Sequence, residues 1–185
     1  MTLLSKYIRN VRLKKASPYI RGDVLDLGCG GALVKDLFRD RIESYVGVER
    51  GGTALESVQA NHPDARFHSR DLDTDPLKLR RKFDSILMIA LIEHLFNQKH
   101  VFQEVVGHLR PQGRIVVTTP TVLGNDIVHR LGASVGLFAK SAVDDHIVIY
   151  NRKRFHILAK ELGLSLERYC TFEFGCNQLA VLKHA

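Results

Sequence analysis

At 185 residues, with 45% hydrophobic and 25% charged residues, the chain is long enough for one domain with a substantial core and needs no second. Its longest apolar run, Ile86 to Ile92, falls far short of the ~20 residues needed to span a bilayer, and no cleavable signal opens the chain, so a cytoplasmic protein without a transmembrane segment is expected. Cys29, Cys170 and Cys176 form no CxxC pair and leave an odd thiol, which suits a reducing compartment; the net charge of +7 comes almost wholly from residues 1–22, where Lys6, Arg9, Arg12, Lys14, Lys15 and Arg21 meet no acid.

In that opening segment Leu3, Leu4, Tyr7, Ile8 and Val11 recur at helical spacing, which predicts an amphipathic helix with a cationic face. Its charges read as a solvated face beside a pocket, with attraction to an anionic substrate, a lipid surface or RNA as the alternative. Next, Val24-Leu25-Asp26-Leu27-Gly28-Cys29-Gly30-Gly31 joins an apolar strand to a glycine turn, and Leu33, Val34, Leu37 and Phe38 begin a helical stripe. Glycines at 28 and 30 let a ligand approach the backbone closely. A second strand, Tyr45 to Val48, ends on Glu49, where an acid can grip the two hydroxyls of a ribose. Leu33 occupies the position of the third glycine of a dinucleotide fingerprint, and Asp26 precedes the first. A carboxylate aimed at the turn repels a pyrophosphate and attracts a cation, so a ligand bearing sulfonium and ammonium groups suits it better.

Further along, stripes at Ala54, Leu55 and Val58 and at Val101, Phe102, Val105, Val106 and Leu109 alternate with strand-like runs. This alternation predicts parallel strands with right-handed crossovers and a ligand at their carboxyl ends, where Gly28, Glu49, Asp71 and Met88 fall. Residues 121–150, after Pro120, are too apolar for a free loop and are expected to form a cap on the pocket. In the tail, Asn151 is placed to cap a helix carrying Phe155, Leu158, Ala159 and Leu162 and ending at Gly163. The runs Leu164–Phe174 and Asn177–Lys183 are separated by only Gly175-Cys176, which requires an antiparallel hairpin.

These motifs resemble, in register over roughly residues 22 to 120, the class I S-adenosylmethionine-dependent methyltransferases. Asp26-Leu27-Gly28-Cys29-Gly30-Gly31 matches the family's first signature, with Ala32 where many members have another glycine. The resemblance implies a Rossmann-like α/β sandwich, a seven-stranded, mostly parallel sheet in the order 3-2-1-4-5-7-6 with strand 7 antiparallel. It also implies that Glu49, followed by Arg50, binds the ribose, that Asp71 accepts from the adenine amine with Leu72 beside the ring, and that the strand ending near Met88 lies under the methionine part of the cofactor. One domain, 1–185, is expected, with the basic helix in 1–22 and the substrate cap in 121–150.

Methyl transfer needs a dry pocket, an acceptor held in line with the S–CH₃ bond, and a base when the acceptor is a hydroxyl. Ala90-Leu91-Ile92-Glu93-His94-Leu95 resembles the segment of quinone-biosynthesis methyltransferases in which a Glu-His pair faces the acceptor, so Glu93 and His94 are the first catalytic candidates. The competing reading is that Glu93 caps the next helix and His94 packs. His146, in Asp144-Asp145-His146, is the second candidate. A divalent metal on Glu93, His94, Asp145 and His146 is disfavoured, because Ala90 stands where related metal-dependent enzymes place their first glutamate. The preferred reading is transfer to a small-molecule or lipid-like acceptor, on oxygen. RNA ribose methylation, a nucleotide-dependent oxidoreductase and a non-catalytic cofactor-binding subunit are the alternatives.

Overall fold

The computed structural model describes residues 3–51, 53–124 and 148–185. Seven strands form one sheet: β1 (Gly22–Leu27), β2 (Ile42–Glu49), β3 (Arg66–Ser69), β4 (Phe83–Ile89), β5 (Leu109–Pro120), β6 (Leu164–Phe172) and β7 (Asn177–His184). Their order is β3-β2-β1-β4-β5-β7-β6. The pairs among β1 to β5 are parallel, and β7 runs antiparallel to both β5 and β6. Chain order reverses beside β1, between β2 and β4, which places a crevice at the carboxyl ends of those strands.

Period-two alternation sorts the strand residues onto two cores. Leu25, Leu27, Val46, Val48, Ile86, Met88, Ile115 and Val117 pack on one face against α4 (Gln98–Gly107) and α5 (Arg152–Glu161). Val24, Tyr45, Leu87, Val116, Leu179 and Val181 pack on the other against α1 (Leu3–Ala16), α2 (Leu33–Phe38) and α3 (Thr53–Asn61). The tail follows its sequence signals. Asn151 accepts the Arg154 N–H at 2.9 Å as an N-cap, and Gly163, with φ +68°, turns the chain out of α5.

Three features differ from expectation. β6 ends at Phe172 and not at Phe174, because Glu173 and Phe174, with φ +52° and +56°, already belong to the hairpin turn. Leu109 opens β5 instead of closing α4, because the helix ends at Gly107 and Leu109 is needed, fully buried, beside Phe83. The apolar stripe of α1 is also displaced toward its end. Leu13 and Ala16 enter the core, whereas Tyr7 is 61% exposed. Among the described residues, no helix is long and apolar enough to cross a membrane. His146 and most of the expected cap, 125–147, lie outside the described residues.

Candidate functional site

The turn after β1 is shaped by three left-handed residues, Gly28, Gly30 and Ala32, with φ +73°, +51° and +61°. Gly28 and Cys29 both donate their N–H groups to Val48 O, at 2.8 and 3.2 Å, which pins the turn onto the end of β2. A side chain at Gly28 would put its Cβ 3.0 Å from Leu91 Cδ1, so the bare backbone is what allows the segment after β4 to close on the turn. A Cβ on Gly30 or Gly31 would meet no atom within 4 Å. That lip of the turn faces open space.

Glu49 ends β2 directly opposite. Its Oε2 accepts the Gly30 N–H at 2.8 Å and its Oε1 accepts the Arg50 N–H at 2.9 Å. Arg50 reaches across to Asp71, with Nη2 2.6 Å from Oδ2, while Asp71 Oδ1 accepts the Asp73 N–H at 3.1 Å. The Asp73 N–H and the guanidinium hold the Asp71 carboxyl below the usual carboxylate range. Asp73 in turn accepts the Asn97 N–H at 2.8 Å. One hydrogen-bonded chain therefore joins the ends of β1, β2 and β3 to the segment after β4. Leu72, buried beside Asp71, belongs to the α4–α5 core.

Asp26 departs from the sequence expectation. Its carboxylate does not aim at the turn: it is 2% exposed and accepts the Tyr45 hydroxyl at 2.6 Å in the core beneath α1–α3. Burial pushes its pKa up to about 7; the Tyr45 hydrogen bond opposes the rise and the neighbouring Glu49 adds to it. Cys29 is buried in the same layer, its thiol pushed up by burial and by the nearby Asp26 and Glu49. Gly47 makes room for it, since a Cβ there would lie 2.7 Å from Cys29 Sγ and 2.6 Å from Phe67 Cδ1. Leu27 and Met88 are fully buried in the α4–α5 core. The rim of β4 is therefore formed by Ile89, Ala90 and Leu91 and not by Met88. Ala90 adopts φ +53° there and donates its N–H to Thr118 O at 2.8 Å.

Glu93 and His94 occupy a 3₁₀ turn, Ile92–His94, and the fold sends them apart. Glu93 is 1% exposed beneath α1, whereas His94 is exposed. Arg12 of α1 faces the carboxylate, Nη1 to Oε1 4.0 Å, and is itself held by Asn177 of β7, whose Oδ1 accepts from Nε at 2.9 Å and from Nη2 at 2.6 Å. Arg12 thus leaves the solvated face expected for the cations of this helix. Sequence reasoning also passed over Gln98. Its amide donates to Ile92 O at 3.1 Å and to Leu95 O at 2.9 Å, and its carbonyl accepts the Tyr150 hydroxyl at 3.3 Å, which fixes the turn carrying Glu93. Nothing in the local pattern distinguishes Gln98 from a surface glutamine. Among the described residues, no three His, Cys, Asp or Glu side chains converge as a metal site would require.

Comparison with known proteins shows the family and the fold. A family model described as a methyltransferase domain matches residues 5–169. A probable S-adenosylmethionine-dependent methyltransferase of Mycolicibacterium smegmatis is 31% identical over 98 residues, covering 53% of this chain and 38% of that protein. A ubiquinone biosynthesis O-methyltransferase of Rickettsia felis is 23% identical over 106 residues, covering 52% and 41% respectively. The chain thus spans about two fifths of the length of these curated relatives. The crystal structure of an S-adenosylmethionine-dependent methyltransferase from Clostridium acetobutylicum superposes with a TM-score of 0.71 at 13% identity, over 96% of this chain and 90% of that one.

Proposed function

Because the chain belongs to the methyltransferase domain family, we propose that it binds S-adenosylmethionine over the Gly28–Gly31 turn and directs the methyl group to a small-molecule or lipid-like acceptor, on oxygen. The observation that carries this reading is the hydrogen-bonded series from Gly30 through Glu49 and Arg50 to Asp71. It sets one carboxylate at the open lip of the turn and a second beyond it, the separation of tasks that a ribose and an adenine require. Glu49 accepts from the ribose hydroxyls. Asp71 accepts from the adenine amine once Arg50 swings away, with Leu72 and Arg50 flanking the base.

The cofactor supplies an electrophilic methyl group on a positive sulfur. Gly28, Cys29 and Gly30, with Leu27 anchoring them in the core, let it lie close to the backbone. Asp26 acts through its field from beneath the turn, and Met88 supports the β4 rim from the core. Glu93 takes the acceptor's proton or orients its hydroxyl, His94 closes the site from the solvent side, and His146 is the remaining candidate base. The O-methyltransferase relative supports an oxygen acceptor. Ribose methylation in RNA is the second reading, favoured by the exposed Lys6, Lys14 and Lys15 of α1.

Calorimetric titration with S-adenosylhomocysteine and with NAD tests the cofactor. Micromolar binding of the first and none of the second is expected, and the reverse order would overturn the reading. Labelled-methyl transfer to a panel of hydroxyl, amine and RNA acceptors then separates the two acceptor classes.

A further inference from the structure

Among the described residues the most exposed large apolar side chain is Phe174, 102% exposed at the tip of the β6–β7 hairpin and held at φ +56°. A bulky residue in the left-handed region bears backbone strain that Gly or Asn avoids, and a bare ring bears the full cost of its hydration. The tip is nevertheless well braced. Gly175 and Cys176 donate their N–H groups to Phe172 O at 3.1 Å and to Glu173 O at 3.0 Å, while Thr121 donates its N–H to Cys176 O at 2.9 Å and its hydroxyl to Gly175 O at 2.6 Å. The ring is thus presented to solvent on a fixed turn.

The patch extends to both sides. Val122 and Leu123 are exposed after Thr121, and a Cβ on Gly175 would lie 3.6 Å from Leu123 Cδ2, so this pair adjoins the tip. On the other side, Arg12 donates to Asn177 Oδ1 and the Asn177 amide donates to Glu173 Oε2 at 2.6 Å, which ties α1 to the root of the tip. Asn177 pairs with Pro120 at the carboxyl edge of the sheet, whereas the far end of α1 leads to the start of β1 at the opposite edge. The amino-terminal turns of α1 therefore lie at the carboxyl edge, with Leu4 about 12 Å beyond Arg12 along the helix. Leu4 and Tyr7, three residues apart on one face, are both exposed there.

Charge selects the partner. α1 carries Lys6, Arg9, Arg12, Lys14 and Lys15 and no acid, and of these only Arg12 has a carboxylate within 4.0 Å among the described residues. The acid of the tip, Glu173, is turned inward: one oxygen accepts from Asn177 and the other is buried. We propose that this edge docks on an anionic lipid bilayer. Leu4, Val122, Leu123 and Phe174 enter the acyl boundary, Tyr7 sits at the headgroups, and Lys6 and Arg9 meet lipid phosphates. A single-stranded RNA could stack on the two rings but would leave the aliphatic Leu4, Val122 and Leu123 uncovered, which favours hydrocarbon. The Gly28–Gly31 turn opens at the same carboxyl edge, so docking brings a bilayer-dissolved acceptor toward it. The docking itself does not depend on the methyl-transfer reading.

The test sediments the full chain with vesicles of phosphatidylcholine, with and without phosphatidylglycerol, at low and high salt. Binding to the anionic vesicles is expected to be at least about 10-fold tighter and to fall as salt rises. Phe174→Asn should weaken it about 10-fold through the lost apolar contact, with a thermal midpoint no lower than that of the wild type, because Asn tolerates both water and the turn. Lys6→Glu, on the exposed face of α1, should weaken it severalfold and serves if the Phe174 variant folds poorly. No binding to anionic vesicles, equal binding to neutral ones, or wild-type binding by both variants would each overturn the proposal. Binding of single-stranded RNA in place of vesicles would assign the face to nucleic acid instead. S-adenosylhomocysteine affinity is read separately by calorimetry, and its failure would overturn the methyl-transfer reading while leaving the vesicle result to stand.

Discussion

The carboxylate of Glu49 holds the Gly30 N–H at 2.8 Å, so the acid at the end of β2 and the open lip of the β1 turn form one unit before any ligand arrives. The strand end is positioned against the turn by backbone bonds from Gly28 and Cys29 to Val48 O. Such preorganisation spares a ligand the cost of ordering the loop.

Glu49→Gln is therefore expected to weaken S-adenosylhomocysteine roughly 10- to 100-fold, since hydrogen bonds to a charged group contribute about 1.5–3 kcal/mol. The thermal midpoint without ligand should move little, because the amide oxygen still accepts from Gly30. Calorimetry beside a melting curve checks both halves, and a large drop in the unliganded midpoint with unchanged affinity would show that Glu49 serves only the turn.

Asp26 supplies a pH dependence with a definite sign. Its carboxyl titrates near 7 in the folded chain against an ordinary 3.8. Below about pH 4 both folded and unfolded chains hold the proton. As pH rises from 4 to 7 the unfolded chain ionises first, and the folded state loses up to roughly 4 kcal/mol from this group. Urea melts of the wild type and Asp26→Asn across this range should diverge accordingly, the variant lacking that decline. Parallel curves would place the Asp26 titration near its ordinary value.

Gly47→Ala tests the packing behind the turn. The added methyl meets Cys29 Sγ and the Phe67 ring at distances no real Cβ adopts, so something must shift. A loss of about 1–3 kcal/mol is expected, as for other overpacked cores. Because Cys29 sits inside the turn, ligand affinity should fall as well, and Gly47→Ala with Cys29→Ala should recover part of it.

Gln98→Leu removes both hydrogen bonds that brace the Ile92–His94 turn, leaves Ile92 O with only the Leu95 N–H, and takes from Leu95 O and the Tyr150 hydroxyl the partner that Gln98 gave them. A destabilisation of about 2 kcal/mol follows from the desolvation of those groups. Hydrogen exchange at residues 92–95 should accelerate while S-adenosylhomocysteine affinity stays near the wild-type value. Unchanged exchange there would remove Gln98 as the brace.

The antiparallel last hairpin, the Asn151 cap and the glycine turn with its downstream acid were all legible in the chain, because each depends on residues with special backbone angles, on local periodicity, or on a link too short for any other connection, whereas the strand order followed from the resemblance of the motifs to a known family. What the local pattern does not carry is the direction of a polar side chain at a strand end or in a short turn. Asp26 faces Tyr45 because β1 and β2 pair in that register, and Glu93 and His94 diverge because a 3₁₀ turn points successive residues to different sides. Arg12, Gln98 and Asn177 gained their roles from partners 81, 52 and 165 residues away along the chain. Only the packing of α1 and α4 on opposite faces of the sheet brings such groups together, and that is set by the summed burial of two cores and not by any one segment.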